Sequence, residues 1–381
     1  MELEIYDSEL NKLGIVDEFK SLIWTPRFYE VGSFELQAPM TENNIALLQK
    51  NRYIYRPDAE ETAFIKSIAE SEQEGVRFII VSGAMLEGLL DKRTITAKGF
   101  STSLLGTLKM YLEDISGLYS FGYKGMSVES ADGYDCDSWG GESAIGQNLG
   151  EYTRGLLRAE NRAVRIKFYP DKKKMICRFV KGTDRSAEQQ ANQQVIFSEE
   201  NQNIYNTNYT YSEEGCYSLA ECWASYSEDV EKDKSKDSML KASLGGRDYS
   251  GGQYLGGLEL TNWFGETEAL TKTEVRHTAD GKTYTVTVID YEATYAKLLD
   301  ICKQHYCPYT ESFEGTIAGD GYRSEWQLGD YVTVEDAKRG TSYKKQVEEV
   351  TEVFEAGSER VDVTLGPSLK TVLDLIREAK K

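Results

Sequence analysis

Apolar and polar positions alternate in short runs along the first hundred residues. Residues 3–6, 15–19, 34–38, 52–55, 63–69 and 76–82 each have alternating or dense apolar positions, separated by Asp, Asn, Gly and Glu. A period of two is what a strand with one buried face requires, so the spacing predicts a small β-rich meander or barrel. A short helix is expected over 44–50. A second follows Ser82, where Met85, Leu86, Leu89 and Leu90 recur at helical spacing.

The period then lengthens. Leu104, Leu105, Leu108, Tyr111, Leu112 and Ile115 form one stripe and predict a core-facing helix over 103–115. Residues 117–150, rich in Gly, Ser and Asp, read as irregular surface. Strands at 164–169 and 175–180 flank Pro170-Asp171-Lys172-Lys173-Lys174, a turn signal that makes them a hairpin. Further strands are expected at 194–197 and 203–210. Residues 225–238 have almost no apolar content and 244–258 are Gly-rich, so 225–258 reads as a long surface excursion or flexible linker.

Alternation returns at 284–289, and Tyr291, Tyr295, Leu298, Leu299 and Cys302 resume helical spacing. Strands at 329–334, 343–354 and 359–365 suggest a second small barrel or sandwich. Pro367-Ser368 opens a last helix, with Val372, Leu375, Ile376 and Ala379 on one face and Arg377, Lys380 and Lys381 at its end. The fold class is therefore mainly β with α+β insertions: two small barrel-like domains and intervening mixed domains. The expected boundaries are 1–95, 96–190, 191–310, 311–366 and a terminal helix at 367–381.

Composition narrows the function. With 44 basic against 63 acidic residues the net charge is -19, which argues against a broad nucleic-acid-binding surface. The 25 tyrosines and 33 glycines suit strands, turns and contact surfaces. No window approaches a membrane span, and the start MELEIYDSEL has neither the basic nor the apolar region of a secretory leader. Cys136, Cys177, Cys216, Cys222, Cys302 and Cys307 are scattered, unlike the dense pattern of a small secreted scaffold, and are read as free thiols; a disulfide from Cys216 or Cys222 stays open.

Catalytic patterns are scarce. His277 and His305 are the two histidines, and His277 reads as an exposed residue before a turn. There is no HExxH, no GxGxxG after a strand, no phosphate-binding GxxxxGK[ST] and no GxSxG elbow. Cys302, His305 and Cys307 lack a fourth ligand and have an awkward bite for zinc, and the Asp132–Asp137 loop lacks the twelve-residue calcium pattern. No catalytic residue, metal or cofactor is expected.

Trp24-Thr25-Pro26-Arg27-Phe28-Tyr29-Glu30-Val31-Gly32-Ser33-Phe34-Glu35-Leu36 combines Trp, an Arg-aromatic pair and Gly-x-Phe-Glu-Leu, and resembles the opening signature of phage tail baseplate hub, or tail-associated, proteins of the siphophage type. Phe64-Ile65, then Val81-Ser82-Gly83, lead into Leu86-Glu87-Gly88-Leu89-Leu90-Asp91-Lys92-Arg93, similar to that family's strand and following helix. Val195-Ile196-Phe197-Ser198 with Asn203-Ile204 resembles a strand entry. Trp326-Gln327-Leu328-Gly329-Asp330-Tyr331-Val332 resembles the opening of the last barrel, and Val361-Asp362-Val363-Thr364-Leu365-Gly366 its final strand.

The resemblance implies a structural part of a phage or prophage virion tail, assembled in the bacterial cytoplasm. It implies a homotrimeric ring of paired barrels at the distal end of the tail tube, bound to the tube or distal tail protein on one side and to tip, fibre or lytic proteins on the other. Neither a membrane span nor sequence-specific nucleic-acid binding is implied. A carbohydrate-binding or adhesin-like protein is the first rival, for which Trp139, Trp223 and Trp263 would line a groove. A tail-associated cell-wall hydrolase is the second; the chain runs only about 15 residues past the terminal barrel, too few for an appended enzyme domain, so it would have to reside in the middle of the chain.

Overall fold

The computed structural model describes residues 1–96, 103–113, 122–130, 133–135, 145–231, 234–245, 262–277, 281, 283–307, 309–318, 321–355 and 358–366. Trp139, Cys136, most of the Gly-rich run and the expected terminal helix lie outside them. The chain is mainly β with α+β portions and divides into two compact units, Met1–Tyr209 with Ser312–Lys381, and Thr210–Glu311.

The first unit is built on one long sheet. Its strands follow the order Thr310–Ile317, Ser358–Leu365, Thr341–Glu355, Ser21–Thr25, Ser33–Pro39, Val76–Met85, Thr62–Gln73, Tyr53–Tyr55, Leu3–Tyr6 and Lys12–Val16. Ile204–Ser212 pairs outside Thr310–Ile317, and Tyr331–Asp336 branches from Thr341–Glu355 and carries Ile196–Ser198. The path is open at both ends, so among the described residues no barrel closes. The two barrel-like ends expected from the alternation are instead parts of one sheet.

The physical reason lies in one strand. Thr341–Glu355 is 15 residues long, more than one small barrel would use. Its first part pairs with Tyr331–Asp336 and its last part, Glu352 to Glu355, pairs antiparallel with Ser21–Thr25. A bulge between Val347 and Glu349, in its pairing with Ser358–Leu365, separates the two stretches and re-aims the strand.

Among the described residues three large cores and one small cluster, around Phe28 and Tyr29, fill this unit. Leu3, Leu22, Trp24, Leu36, Ile54 and Val81 form one under the amino-terminal strands. Phe197, Phe313, Trp326, Val332, Val347 and Val363 form another under the carboxy-terminal ones. The third joins Tyr6, Tyr53 and Phe64 to the 3₁₀ helix Leu86–Lys92, the helices Leu104–Leu112 and Leu149–Ala159, and the sheet of Met126–Ser130, Lys174–Lys181 and Arg162–Tyr169. That core runs across the boundary expected at residue 95.

The hairpin read around Pro170 is present, closed by a 3₁₀ turn with Lys173 in the left-handed region at φ 45°. Helix Leu149–Ala159 has no counterpart in the sequence expectations. It begins on Asn148, whose side-chain oxygen accepts from the N–H groups of Gly150 and Glu151 at 2.9 and 3.1 Å.

In the second unit, Leu219–Glu231 and Lys234–Gly245 form a long antiparallel hairpin, with Asn262–Glu266 parallel to the first arm. Part of the span expected as a loose excursion is therefore regular strand. Ala220, Cys222, Ala224 and Ala242 face Leu298 and Cys302 of the helix Tyr291–His305. Small inward residues let a helix pack on a sheet without a visible apolar alternation, which is why the period-two signal is weak there. Thr271–His277 and Thr283–Ile289 form a separate hairpin. Among the described residues no helix is long and apolar enough to cross a membrane.

Candidate functional site

The strongest convergence of side chains lies where the two ends of the chain share the sheet. Along Thr341–Glu355 the inward face reads Val350, Glu352, Phe354, placing a carboxylate where an apolar side chain belongs. Arg56, fully buried just after Tyr53–Tyr55, reaches it: its Nη1 and Nη2 donate to the two Glu352 oxygens at 3.0 and 3.2 Å. Nη2 also donates to Asp58 at 2.7 Å. The guanidinium lies 4.8 Å over the Phe354 ring and 5.3 Å over Trp24. Arg323 adds a second cation, 2.8 Å from Glu352 and 3.0 Å from Glu61.

This ion-pair cluster borders a cavity of about 590 Å³ lined by Phe28, Glu61, Glu87, Arg165, Tyr322 and Arg323, among others. Glu87 accepts from the Ile166 N–H at 3.2 Å and lies 3.7 Å from Arg165. Burial pushes its carboxyl above the usual range, an effect Arg165 opposes. Nearby, burial raises Glu348 to about 7, with Arg158 opposing and Glu30 adding to the shift. Opposed charges face one another around this cavity, and the arrangement acts as a joint between segments far apart in sequence.

The residues of the opening signature form the amino-terminal side of that joint. Trp24 is fully buried beside Phe34. Arg27 pairs with Glu349, the Phe28 N–H donates to the Glu348 carbonyl at 2.7 Å, and the Tyr29 hydroxyl donates to Gln346 at 2.7 Å. Gly32 sits against Met85 and the Thr25 carbonyl. Gly83 is required by close approach, because a Cβ there would stand 1.9 Å from the Phe64 carbonyl oxygen. Leu89 and Leu90 are buried in the shared core, and the Arg93 guanidinium covers the Tyr123 ring at 4.6 Å.

The carboxy-terminal residues complete it. Leu328 packs near Phe28 and Tyr29, and Gly329, at φ 94°, leaves room for Phe28, whose ring carbon would lie 2.2 Å from a Cβ. Asp330 accepts from the N–H groups of Gln327 and Thr183 and from Arg185 Nε, at 2.9, 3.0 and 2.8 Å. Val332 and Phe197 are core residues, Phe197 meeting Trp326 edge-on at 5.4 Å. The Gly366 N–H donates to the Gln346 carbonyl at 2.7 Å.

The aromatic candidates do not converge in the same way. Trp139 lies outside the described residues. One face of Trp263 is covered by His305, ring to ring at 3.7 Å, and Trp223 is tilted against Phe264 at 6.5 Å. The three residues weighed as zinc ligands point to different neighbours: the Cys302 thiol donates to the Ala242 carbonyl, His305 stacks on Trp263, and Cys307 faces Cys216. His277 is exposed at the end of its strand.

Arg56, Glu61, Arg323, Glu348 and Glu352 are absent from the motif residues. Their one local signal is a charge at an inward strand position, as for Glu352; Arg56 and Glu352 lie 296 residues apart.

The sequence profile of the family described as Siphovirus ReqiPepy6 Gp37-like protein matches residues 2–112 and 124–367. None of the curated proteins matches the chain. Among solved structures, the tail protein from Neisseria meningitidis MC58 is similar at TM-score 0.57 and 12% identity, covering 96% of each chain. The 43 kDa tail protein of prophage MuSo2 from Shewanella oneidensis is similar at TM-score 0.54 and 13% identity, covering 96% of this chain and 98% of that one. The prophage tail protein gp18 from Listeria monocytogenes EGD-e follows at 0.50 and 12%, covering 100% and 99%. At these identities the likeness is one of fold, and it runs from end to end.

Proposed function

Since this chain belongs to the Siphovirus ReqiPepy6 Gp37-like family, we propose that it is a structural component of a phage or prophage tail and serves as the hub at the distal end of the tail tube. The observation that carries this reading is the joint. The amino-terminal and carboxy-terminal strands share one sheet and are locked by Arg56, Arg323 and Glu352, which supports a part that is built as a rigid scaffold. Near-complete coverage of three tail-protein folds supports it.

In this reading the chain forms a homotrimeric ring, contacts the tube or distal tail protein on one side and tip, fibre or lytic proteins on the other, and is assembled in the bacterial cytoplasm before it becomes part of the virion. A ring made from one chain needs complementary, non-identical faces on each subunit. The test is a solution mass measurement with negative-stain imaging, alone and with the tube protein. A three-subunit ring with a central opening is expected; a concentration-independent monomer that stays monomeric with the tube protein overturns the hub assignment. Cell-wall digestion by the purified chain, abolished by one acidic substitution, would overturn the structural reading.

A further inference from the structure

Cys216 and Cys307 stand at the two ends of the Thr210–Glu311 unit, one just after the chain enters it and one just before it leaves. Their Sγ atoms are 3.7 Å apart. The backbones around them are fixed: the Cys307 N–H donates to the Tyr217 carbonyl at 3.0 Å in an antiparallel bridge, and the Cys216 N–H closes a turn onto the Glu213 carbonyl at 3.1 Å. On the far side of the pair, the Tyr211 and Tyr309 rings stack at 5.1 Å, and the Thr310 hydroxyl donates to the Ser212 carbonyl at 3.3 Å. The two segments are thus held side by side by contacts that do not involve the sulfurs.

Cys216 is buried, as are Cys177, Cys222 and Cys302; among the described cysteines Cys307 is the one that solvent reaches. Cys302 donates to the Ala242 carbonyl at 3.5 Å, and burial pushes the Cys222 thiol up to about 11. A thiol that is buried and hard to ionise is a poor nucleophile, whereas Cys307 is only partly buried.

We propose that Cys216 and Cys307 are a redox modification site, a dithiol that closes to a disulfide on reaction with a small-molecule disulfide of the glutathione type. The Cys307 thiolate attacks one sulfur of the reagent, forming a mixed disulfide and releasing one reagent thiol. The Cys216 thiolate then displaces the second. Two protein S–H bonds are lost and one S–S bond forms, while the reagent S–S bond breaks and takes up both electrons and both protons as two thiols. The sulfurs need to close from 3.7 Å to about 2.05 Å, a movement of under ~2 Å. The bond ties the entrance of the unit to its exit and makes nearly all of the unit a covalently closed loop.

The full chain is incubated with oxidised glutathione or with a phosphine reductant, alkylated, and mapped by non-reducing peptide mass spectrometry. The expected result is a single linked peptide pair containing Cys216 and Cys307, two alkylatable thiols fewer, and a melting transition shifted upward and restored by reductant. Both C216S and C307S remove the linked pair; C307S, at the more exposed position, keeps the test valid should C216S fold poorly. Full alkylation of both cysteines after oxidation, a product that stops at glutathione adducts, or linkage to Cys222 or Cys302 instead overturns the proposal.

Discussion

Arg56 is fully buried with Glu352 beside it at 5% exposure, whereas its other partner Asp58 is 54% exposed. Removing one partner of a buried pair strands a charge; removing an exposed partner leaves it screened by water. Glu352→Ala is therefore expected to cost about 3–5 kcal/mol, and Asp58→Asn less than about 1 kcal/mol, in denaturant unfolding; equal losses would refute the joint as a buried electrostatic lock. Glu348 carries a pH consequence. Its folded value of about 7 lies above its ordinary 4.5, so between those values the folded state holds a proton that the unfolded chain has released, and stability falls as pH rises through that window. Glu348→Gln should have little effect at pH 4 and should gain on the parent chain by up to about 3 kcal/mol at pH 8. Unfolding free energies measured across that range check the sign, and a parallel offset at every pH would count against it. The motif residues at this joint were legible because aromatic and glycine positions cluster locally. The charged residues were not, because a charge is read as solvated until the strand facing it is known.

At the scale of elements, strands with one apolar face and helices with a stripe were readable, as for Leu3–Tyr6, Leu104–Leu112 and Ser358–Leu365. Helix Leu149–Ala159 was missed because Gly150 and Gly155 lower its helical propensity and it follows directly on a Gly- and Ser-rich stretch, although Leu149, Tyr152 and Leu156 stand at helical spacing. Its formation leans on the cap and on packing. Asn148 supplies both, since its side-chain nitrogen also donates to the Asp91 carbonyl at 2.8 Å. Asn148→Ala is expected to cost about 1–2 kcal/mol and to speed hydrogen exchange in this helix more than in Leu104–Leu112; unchanged exchange in Leu149–Ala159 would refute the role given to the cap. The hairpin Leu219–Gly245 shows the opposite failure. Cross-strand hydrogen bonds do not require apolar side chains, and the Glu221–Lys241 pair at 2.6 Å decorates its outer face.

For the whole molecule, the two units differ in what holds them. The first has three cores rich in Leu, Phe and Trp, while the main cluster of the second is Ala220, Cys222, Ala224, Ala242, Leu298 and Cys302. Leu298→Ala deletes the largest fully buried side chain of that cluster, at a cost of about 2–5 kcal/mol. Amides in Leu219–Gly245 and Tyr291–His305 should then exchange faster while Ser33–Pro39 keeps its protection; equal acceleration in both units would show that they unfold as one. The sequence by itself determined the mainly β class, the position of most strands and the family, because periodicity and short signatures are local properties. Only the tertiary structure decided that the two β-rich ends are one open sheet, that Arg56 and Arg323 meet Glu352, and that Cys216 faces Cys307. Those facts depend on which distant strands pair, and pairing is settled by shape and charge across hundreds of residues rather than by any run of neighbours.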